Sequence, residues 1–140
     1  MKEVLLDKEF AEVYYESDLN VITVIWRSIV DSKQYKETFE IILKGIGKYD
    51  IPLFLSDTRK QGVVDPKDRK WLETEIIPAA LKAGLKYTAT VLSKDIFKKY
   101  YLNKLKDESK KAGMAGFGIF DDFDEAKDWL MKNKIKNNIQ

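Results

Sequence analysis

The fold is decided by the stretch Ala11-Glu-Val-Tyr-Tyr-Glu16-Ser-Asp-Leu-Asn20-Val-Ile-Thr-Val-Ile-Trp26. In its first six residues, Ala11, Val13 and Tyr15 fall on one face of a strand and Glu12 and Glu16 on the other, which is typical of a strand with one buried face. Its last six residues are apolar at nearly every position, which indicates a strand covered on both faces. Because only four residues connect the two strands, they are predicted to form an antiparallel hairpin.

Outward from the hairpin, the apolar residues change to a helical period. Asp31 and Ser32 are suitable caps for a first helix, and a short apolar run over 52–56 predicts a buried strand after it. A second helix is predicted from Asp65, which can act as its cap, to Gly84. Pro78 lies inside this helix and predicts a kink or break near Ile77.

Strand patterns over 87–92 and 117–120 then alternate with helix patterns over 95–111 and from residue 123 onward. The resulting order is β-β-α-β-α-β-α-β-α. It predicts an α/β fold with a mixed, mostly parallel five-stranded sheet and helices on both faces. We expect a single domain over residues 1–140 with a core at about 11–131, followed by a basic, asparagine-rich tail over 132–140.

The composition argues against several functional classes. The chain has no cysteine and no histidine. It therefore lacks thiolate chemistry, sulfur-based zinc sites and the imidazole that most hydrolase triads use. An enzyme would have to use lysines, carboxylates or tyrosines, so a role without catalysis is expected.

The charge pattern favours neither nucleic acid nor membrane. A net charge of +2 on a chain that is 34% charged leaves no basic stripe of the kind that nucleic-acid binding requires. The N-terminal segment is too short and too charged for a signal peptide, and no apolar run approaches the roughly 20 residues of a membrane span. We therefore expect a cytoplasmic protein.

Polar residues follow the strand over 52–56, at the end where parallel α/β sheets usually bind ligands. The candidate binding residues for a ligand or partner are Asp57, Thr58, Arg59, Asp65, Lys67 and Trp71. The alternative is a solvated loop followed by a well-capped helix, with the tryptophan half-buried in packing. The acidic spacing matches no calcium loop, so neither a metal nor a cofactor is predicted.

Two other features receive structural interpretations. Gly113, Gly116 and Gly118 precede a strand, whereas phosphate-binding glycines follow one, so we expect a turn and close backbone packing. In the pair Tyr100-Tyr101, one ring is predicted to be buried and its neighbour exposed.

The order of elements resembles a known family over roughly Ala11 to Met131. The local segments that carry the resemblance are Leu53-Phe-Leu-Ser-Asp57, Trp71-Leu72 and Phe120-Asp-Asp-Phe-Asp-Glu-Ala-Lys-Asp-Trp-Leu130. Together they resemble the STAS domain of anti-sigma-factor antagonists and sulfate transporters, in particular its stand-alone bacterial proteins, which are compared with lipid-binding CRAL-TRIO domains. The antagonists carry a phosphorylatable serine after an aspartate at the start of the second helix. The corresponding stretch here, residues 64–68, contains no hydroxyl residue, so the phosphorylation switch is not implied.

The leading hypothesis is a non-enzymatic regulatory or protein-interaction module with a STAS-like fold and a regulatory protein as its partner. The alternative is a carrier for a small apolar or amphipathic ligand held between sheet and helix, which the 12% aromatic content favours. An enzyme with a perturbed lysine or carboxylate is the third hypothesis. The sequence leaves monomer and homodimer open.

Overall fold

A computed structural model describes residues 1–94 and 96–137 and shows a six-stranded mixed sheet. The strands are β1 (Lys2–Asp7), β2 (Ala11–Glu16), β3 (Val21–Trp26), β4 (Leu53–Asp57), β5 (Tyr87–Val91) and β6 (Gly116–Phe120). They lie side by side in chain order, with β1, β2 and β3 antiparallel and β3 to β6 parallel. The α/β class and the predicted hairpin are therefore confirmed.

The helices are α1 (Ser32–Tyr49), α2 (Pro66–Trp71), α3 (Ile77–Ala83), α4 (Ile96–Lys111) and α5 (Phe123–Lys136), and a π-helical turn over Leu72–Ile76 joins α2 to α3. The predicted start of α4 at Asp95 lies outside the described residues. Asp31 caps α1 and Gly84 ends α3 with φ 119°, as the sequence indicates. Within the described ranges, no helix combines the length and apolar character needed to cross a bilayer.

The sheet has six strands, so the prediction of five was wrong. The additional strand, β1, pairs antiparallel with β2 at the edge of the sheet. Only Leu6 is buried in it, and Val4 is 49% exposed, because an edge strand faces solvent on most sides. It therefore lacks the apolar pattern that marks the other strands, and it lies before the predicted start of the core. At the other end, α5 continues through Lys136, and residues 138–140 of the predicted tail lie outside the described residues.

An irregularity lies near Ile77, where a kink or break was predicted: the chain stays helical, but it passes through a π-helical turn just before this residue. The N–H of Ile77 bonds to the carbonyl of Leu72, five residues back, and Pro78 then occupies the first turn of α3. A proline is tolerated in a first turn because its missing N–H has no intrahelical partner there. The π-helical turn widens the helix where α2 passes into α3.

Helices cover both faces of the sheet, as predicted, but unequally. Three successive crossovers advance in the same direction across β3 to β6, and right-handed crossovers of this kind place their helices on one face. The core on that face contains Ile22, Phe54 and Phe117 with α1, α3 and α4. Of the described helices, α5 alone packs on the other face, where Ala126 and Leu130 meet strand residues.

The predicted close packing at β6 is confirmed. A Cβ atom on Gly116 would lie 2.7 Å from the ring of Tyr87, and one on Gly118 would lie 3.2 Å from the indole of Trp129. Glycine at these positions allows Trp129 of α5 to rest on the strand.

Candidate ligand site

A groove of about 830 Å³ lies at the carboxyl ends of β4 and β5. The loop 59–64 after β4, the helical segment from α2 into the π-helical turn, and α4 form its walls. Ligands of parallel α/β sheets usually bind at this end of the strands. The groove therefore occupies the position that the topology favours for a ligand.

The groove is predominantly cationic. Four of its side chains are basic and one is acidic: Arg59, Arg69, Lys70, Lys104 and Glu73. Across the described ranges, Arg59 is the only one of these cations that forms a salt bridge. The positive charge of the other three therefore remains uncompensated by a direct ion pair and is available to an anion.

Two polar atoms beside the groove are buried and have no hydrogen-bond partner among the described residues. They are Nε of Arg69 and the hydroxyl oxygen of Tyr101. The guanidinium carbon of Arg69 lies 4.8 Å from the centroid of the Tyr101 ring, a stacking arrangement typical of a cation–π pair. Both groups can donate a hydrogen bond, and both residues line the groove.

The phenol of Tyr101 stays protonated. Burial raises its pKa, the carboxylate of Glu73 raises it further, and the guanidinium of Arg69 opposes the shift. A neutral phenol keeps its O–H and acts as a donor throughout the physiological pH range.

A smaller cavity of about 70 Å³ adjoins the groove, between the sheet and helices α1, α3 and α4. Its lining is mainly apolar, with side chains such as Phe39, Ile42 and Leu105. The sheet contributes the hydroxyl residues Ser56, Thr88 and Thr90, and Oγ1 of Thr88 is buried with no hydrogen-bond partner among the described residues.

Cavity and groove share a boundary. Four side chains line both spaces: Gln61, Val64, Tyr101 and Leu102. Charged side chains line the groove, whereas the cavity is lined mainly by hydrocarbon together with hydroxyl groups that the sheet contributes. The surroundings therefore change from charged in the groove to mainly apolar in the cavity beneath α1.

Three of the candidate residues named from the sequence lie at this site or support it. Thr58 lines the cavity and donates from Oγ1 to the carbonyl of Val91 at 2.8 Å. Arg59 lines the groove and donates to both carboxylate oxygens of Asp57, from Nε at 3.0 Å and from Nη2 at 2.7 Å. Asp57 is only 5% exposed, so it serves to orient the arginine rather than to contact a ligand.

The other three candidates lie outside the groove. Asp65 caps α2 by accepting from the backbone N–H of Lys67 at 2.8 Å, and the lysine side chain points to solvent. Trp71 packs edge-on against Tyr35 with ring centroids 6.3 Å apart, and Lys36 lies over its ring. Capping and helix packing thus account for these residues.

The sequence did not single out most of the residues that form the groove, namely Gln61, Lys70, Glu73, Thr74, Tyr100, Tyr101 and Lys104, although it placed Arg69 at the helix start beside the loop. The available signal was spacing: polar residues recur four apart at 69/73, 70/74 and 100/104, which places each pair on one helix face. The predicted split of the tyrosine pair is confirmed, since the ring of Tyr100 is 78% exposed and the hydroxyl of Tyr101 is buried.

Comparisons of the chain with protein-family models, with curated proteins and with solved structures found no match. The STAS resemblance therefore stays a prediction from the order of elements. Functional inference depends on the groove and the cavity themselves.

Proposed function

We propose that this protein is a non-enzymatic binding module for a small organic anion, which it holds in the groove over β4 and β5. The observation that carries the proposal is a pair of buried donors, Arg69 Nε and the Tyr101 hydroxyl, which have no partner in the described part of the chain and lie beside a groove with four cations and one carboxylate. A buried donor without a partner costs about 1–3 kcal/mol, and an anionic acceptor removes that cost.

The donor set favours a carboxylate or a phosphate. An arginine offers a planar pair of donors to such groups, whereas Lys70 and Lys104 supply charge without fixed geometry. Arg59 is already oriented by Asp57 and presents the remainder of its guanidinium to the groove. Hydrogen bonds to a charged group contribute about 1.5–3 kcal/mol each, so three of them contribute at most about 9 kcal/mol. After an association cost of about 4 kcal/mol or more, we expect a dissociation constant of about 0.1 mM or weaker for a small anion.

The test is calorimetric titration of the purified protein with inorganic phosphate, acetate and butyrate at low and high salt. Wild-type protein should bind at least one of these anions, and the affinity should fall with salt because exposed charges are screened. The double variant Lys70→Gln/Lys104→Gln should weaken binding about tenfold.

Lys44→Gln is the matched control, because it removes one exposed charge from α1, away from the groove. It should leave the affinity unchanged. Failure of all three anions to bind, together with no small molecule in native mass spectra of freshly purified protein, would remove the basis for this function.

The regulatory or protein-interaction role with a STAS-like fold remains a second proposal, and one observation favours it. Ile29, Val63 and Tyr100 are 75%, 83% and 78% exposed. Ile29 packs beside Gly62, next in the chain to Val63, and Val63 and Tyr100 both line the groove. Exposed apolar side chains around the mouth of a groove are suitable anchors for a protein partner.

Affinity capture from a native extract tests this second role. A partner retained by the wild type but lost with Ile29→Ser/Val63→Ser would support it. Ile135→Ser is the matched control, since Ile135 is 81% exposed on α5. Equal recovery with all variants would argue that the rim is not the interface.

A further inference from the structure

We infer that the ligand is an amphipathic anion with a short hydrocarbon group of about two to four carbons, which enters the cavity while its charged group stays in the groove. The inference rests on the proposed function and adds the class of ligand to it. It is carried by the boundary of Gln61, Val64, Tyr101 and Leu102, which lines both spaces.

The polarity on the two sides of this boundary matches the two ends of such a molecule. Arg69 lines the groove and Tyr101 lies at the boundary, and Nε of the first and the hydroxyl of the second are buried with no hydrogen-bond partner across the described ranges. The cavity side offers the side chains of Phe39, Ile42 and Leu105. A ligand with its carboxylate or phosphate at the boundary places its hydrocarbon against these apolar walls, where burial of each methylene favours binding.

The size of the cavity limits the hydrocarbon group. An engineered cavity of about 150 Å³ accommodates the six carbons of benzene, and this cavity measures about 70 Å³. Roughly half the volume corresponds to about three carbons. A long acyl chain does not fit without displacement of the helices above the sheet.

Water is the competing occupant. At about 30 Å³ per molecule, the cavity has room for about two waters, and the hydroxyl of Thr88 has no partner among the described residues. An aqueous cavity and a hydrocarbon-binding cavity make opposite predictions for the effect of chain length on affinity, which makes the distinction measurable.

The experiment is calorimetric titration of the full chain with straight-chain carboxylates from acetate to octanoate, and with monoalkyl phosphates of the same lengths. Affinity should rise about fourfold per added carbon over the first two to four carbons, and then level off or fall. Running both series establishes whether the charged group is a carboxylate or a phosphate ester.

Two variants change the cavity without changing the groove. Ala80→Val adds volume at a residue that lines the cavity, so the chain-length dependence should disappear while affinity for acetate or inorganic phosphate is retained. Ile42→Val opens space instead and should move the optimum about one carbon longer. Ala79→Val is the matched control, because Ala79 lies in the same helix but does not line the cavity.

The outcomes separate this inference from the proposed function. Binding that is independent of chain length overturns the inference and leaves the anion site standing. An affinity that keeps rising to octanoate also overturns it, because such a chain is held outside the cavity. No binding of any anion overturns both. If Ala80→Val does not fold, the shift expected for Ile42→Val keeps the inference testable.

Discussion

Removing the hydroxyl of Tyr101 should make the ligand-free protein more stable and its ligand binding weaker. The hydroxyl oxygen is buried and finds no partner among the described residues. A buried polar group in this state costs about 1–3 kcal/mol, and Tyr101→Phe removes it while retaining the ring that stacks with Arg69. We expect the free energy of unfolding to increase by about 1 kcal/mol, equivalent to a rise in Tm of about 3 °C for a domain of this size.

The same substitution should lower the affinity for the anion. A hydrogen bond from the phenol to a charged acceptor contributes about 1.5–3 kcal/mol, so its loss weakens binding about tenfold or more. Stability is measured by urea denaturation without ligand, and affinity by calorimetry. A substitution that raises stability and lowers affinity together distinguishes a functional group from a structural one.

Tyr100→Phe is the control for stability. Its ring is 78% exposed, so loss of its hydroxyl should change the free energy of unfolding by less than about 0.5 kcal/mol. The reasoning is refuted if Tyr101→Phe destabilises the ligand-free protein, because the hydroxyl must then have a favourable partner such as a bound water. It is also refuted if the affinity is unchanged.

Three further predictions concern charge and packing. Burial raises the pKa of the Tyr35 phenol well above 10.0, so the folded state holds this proton more tightly than the unfolded state does. The free energy of unfolding should therefore fall by up to about 1.4 kcal/mol per pH unit as pH rises past 10. Tyr35→Phe should reduce this loss of stability at alkaline pH, as measured by denaturation. Arg59→Gln should destabilise the protein by about 2 kcal/mol, because it leaves the buried carboxylate of Asp57 unpaired. Asp57→Asn should destabilise it by less, because the half-exposed guanidinium of Arg59 reaches water. Equal urea midpoints for the two variants would contradict this. Gly47→Ala should stabilise α1 by about 0.5–1 kcal/mol. Gly45→Ala should stabilise it by less, because a Cβ there meets Cδ1 of Ile22 on β3 at 3.0 Å. Thermal unfolding of the two variants provides the comparison.

The parts of the fold that the sequence predicted are those that local pattern encodes. Alternation over β2, the apolar run of β3 and the capping residues Asp31 and Asp65 lie within a few positions of the structure they specify. β1 was missed because an edge strand buries few side chains, and only Leu6 is buried here. Its partner strand, rather than its own composition, determines its structure.

The same distinction between local pattern and long-range packing applies to the candidate site. Thr58 and Arg59 were found because they follow a strand directly, and the end of a parallel strand is a local feature. The pairing of Arg69 with Tyr101 was missed because the two residues come together only when α2 and α4 pack above the sheet. Their contact joins two residues 32 positions apart in the chain, and a short window of sequence does not report such a contact.

The two faces of the sheet show why the cavity lies beneath the three-helix layer. On the α5 face, β4 and β5 present residues such as Leu55 and Ala89, which pack against the helix. On the opposite face, the same strands place Ser56 beside Thr90, both buried, where a larger aliphatic pair would fill the space. A core selected for stability alone gains from filling such space and from removing buried hydroxyl groups. The unfilled space and the buried hydroxyl groups both lie next to the cationic groove. Their position favours a ligand-binding role for this side of the sheet over a defect in packing.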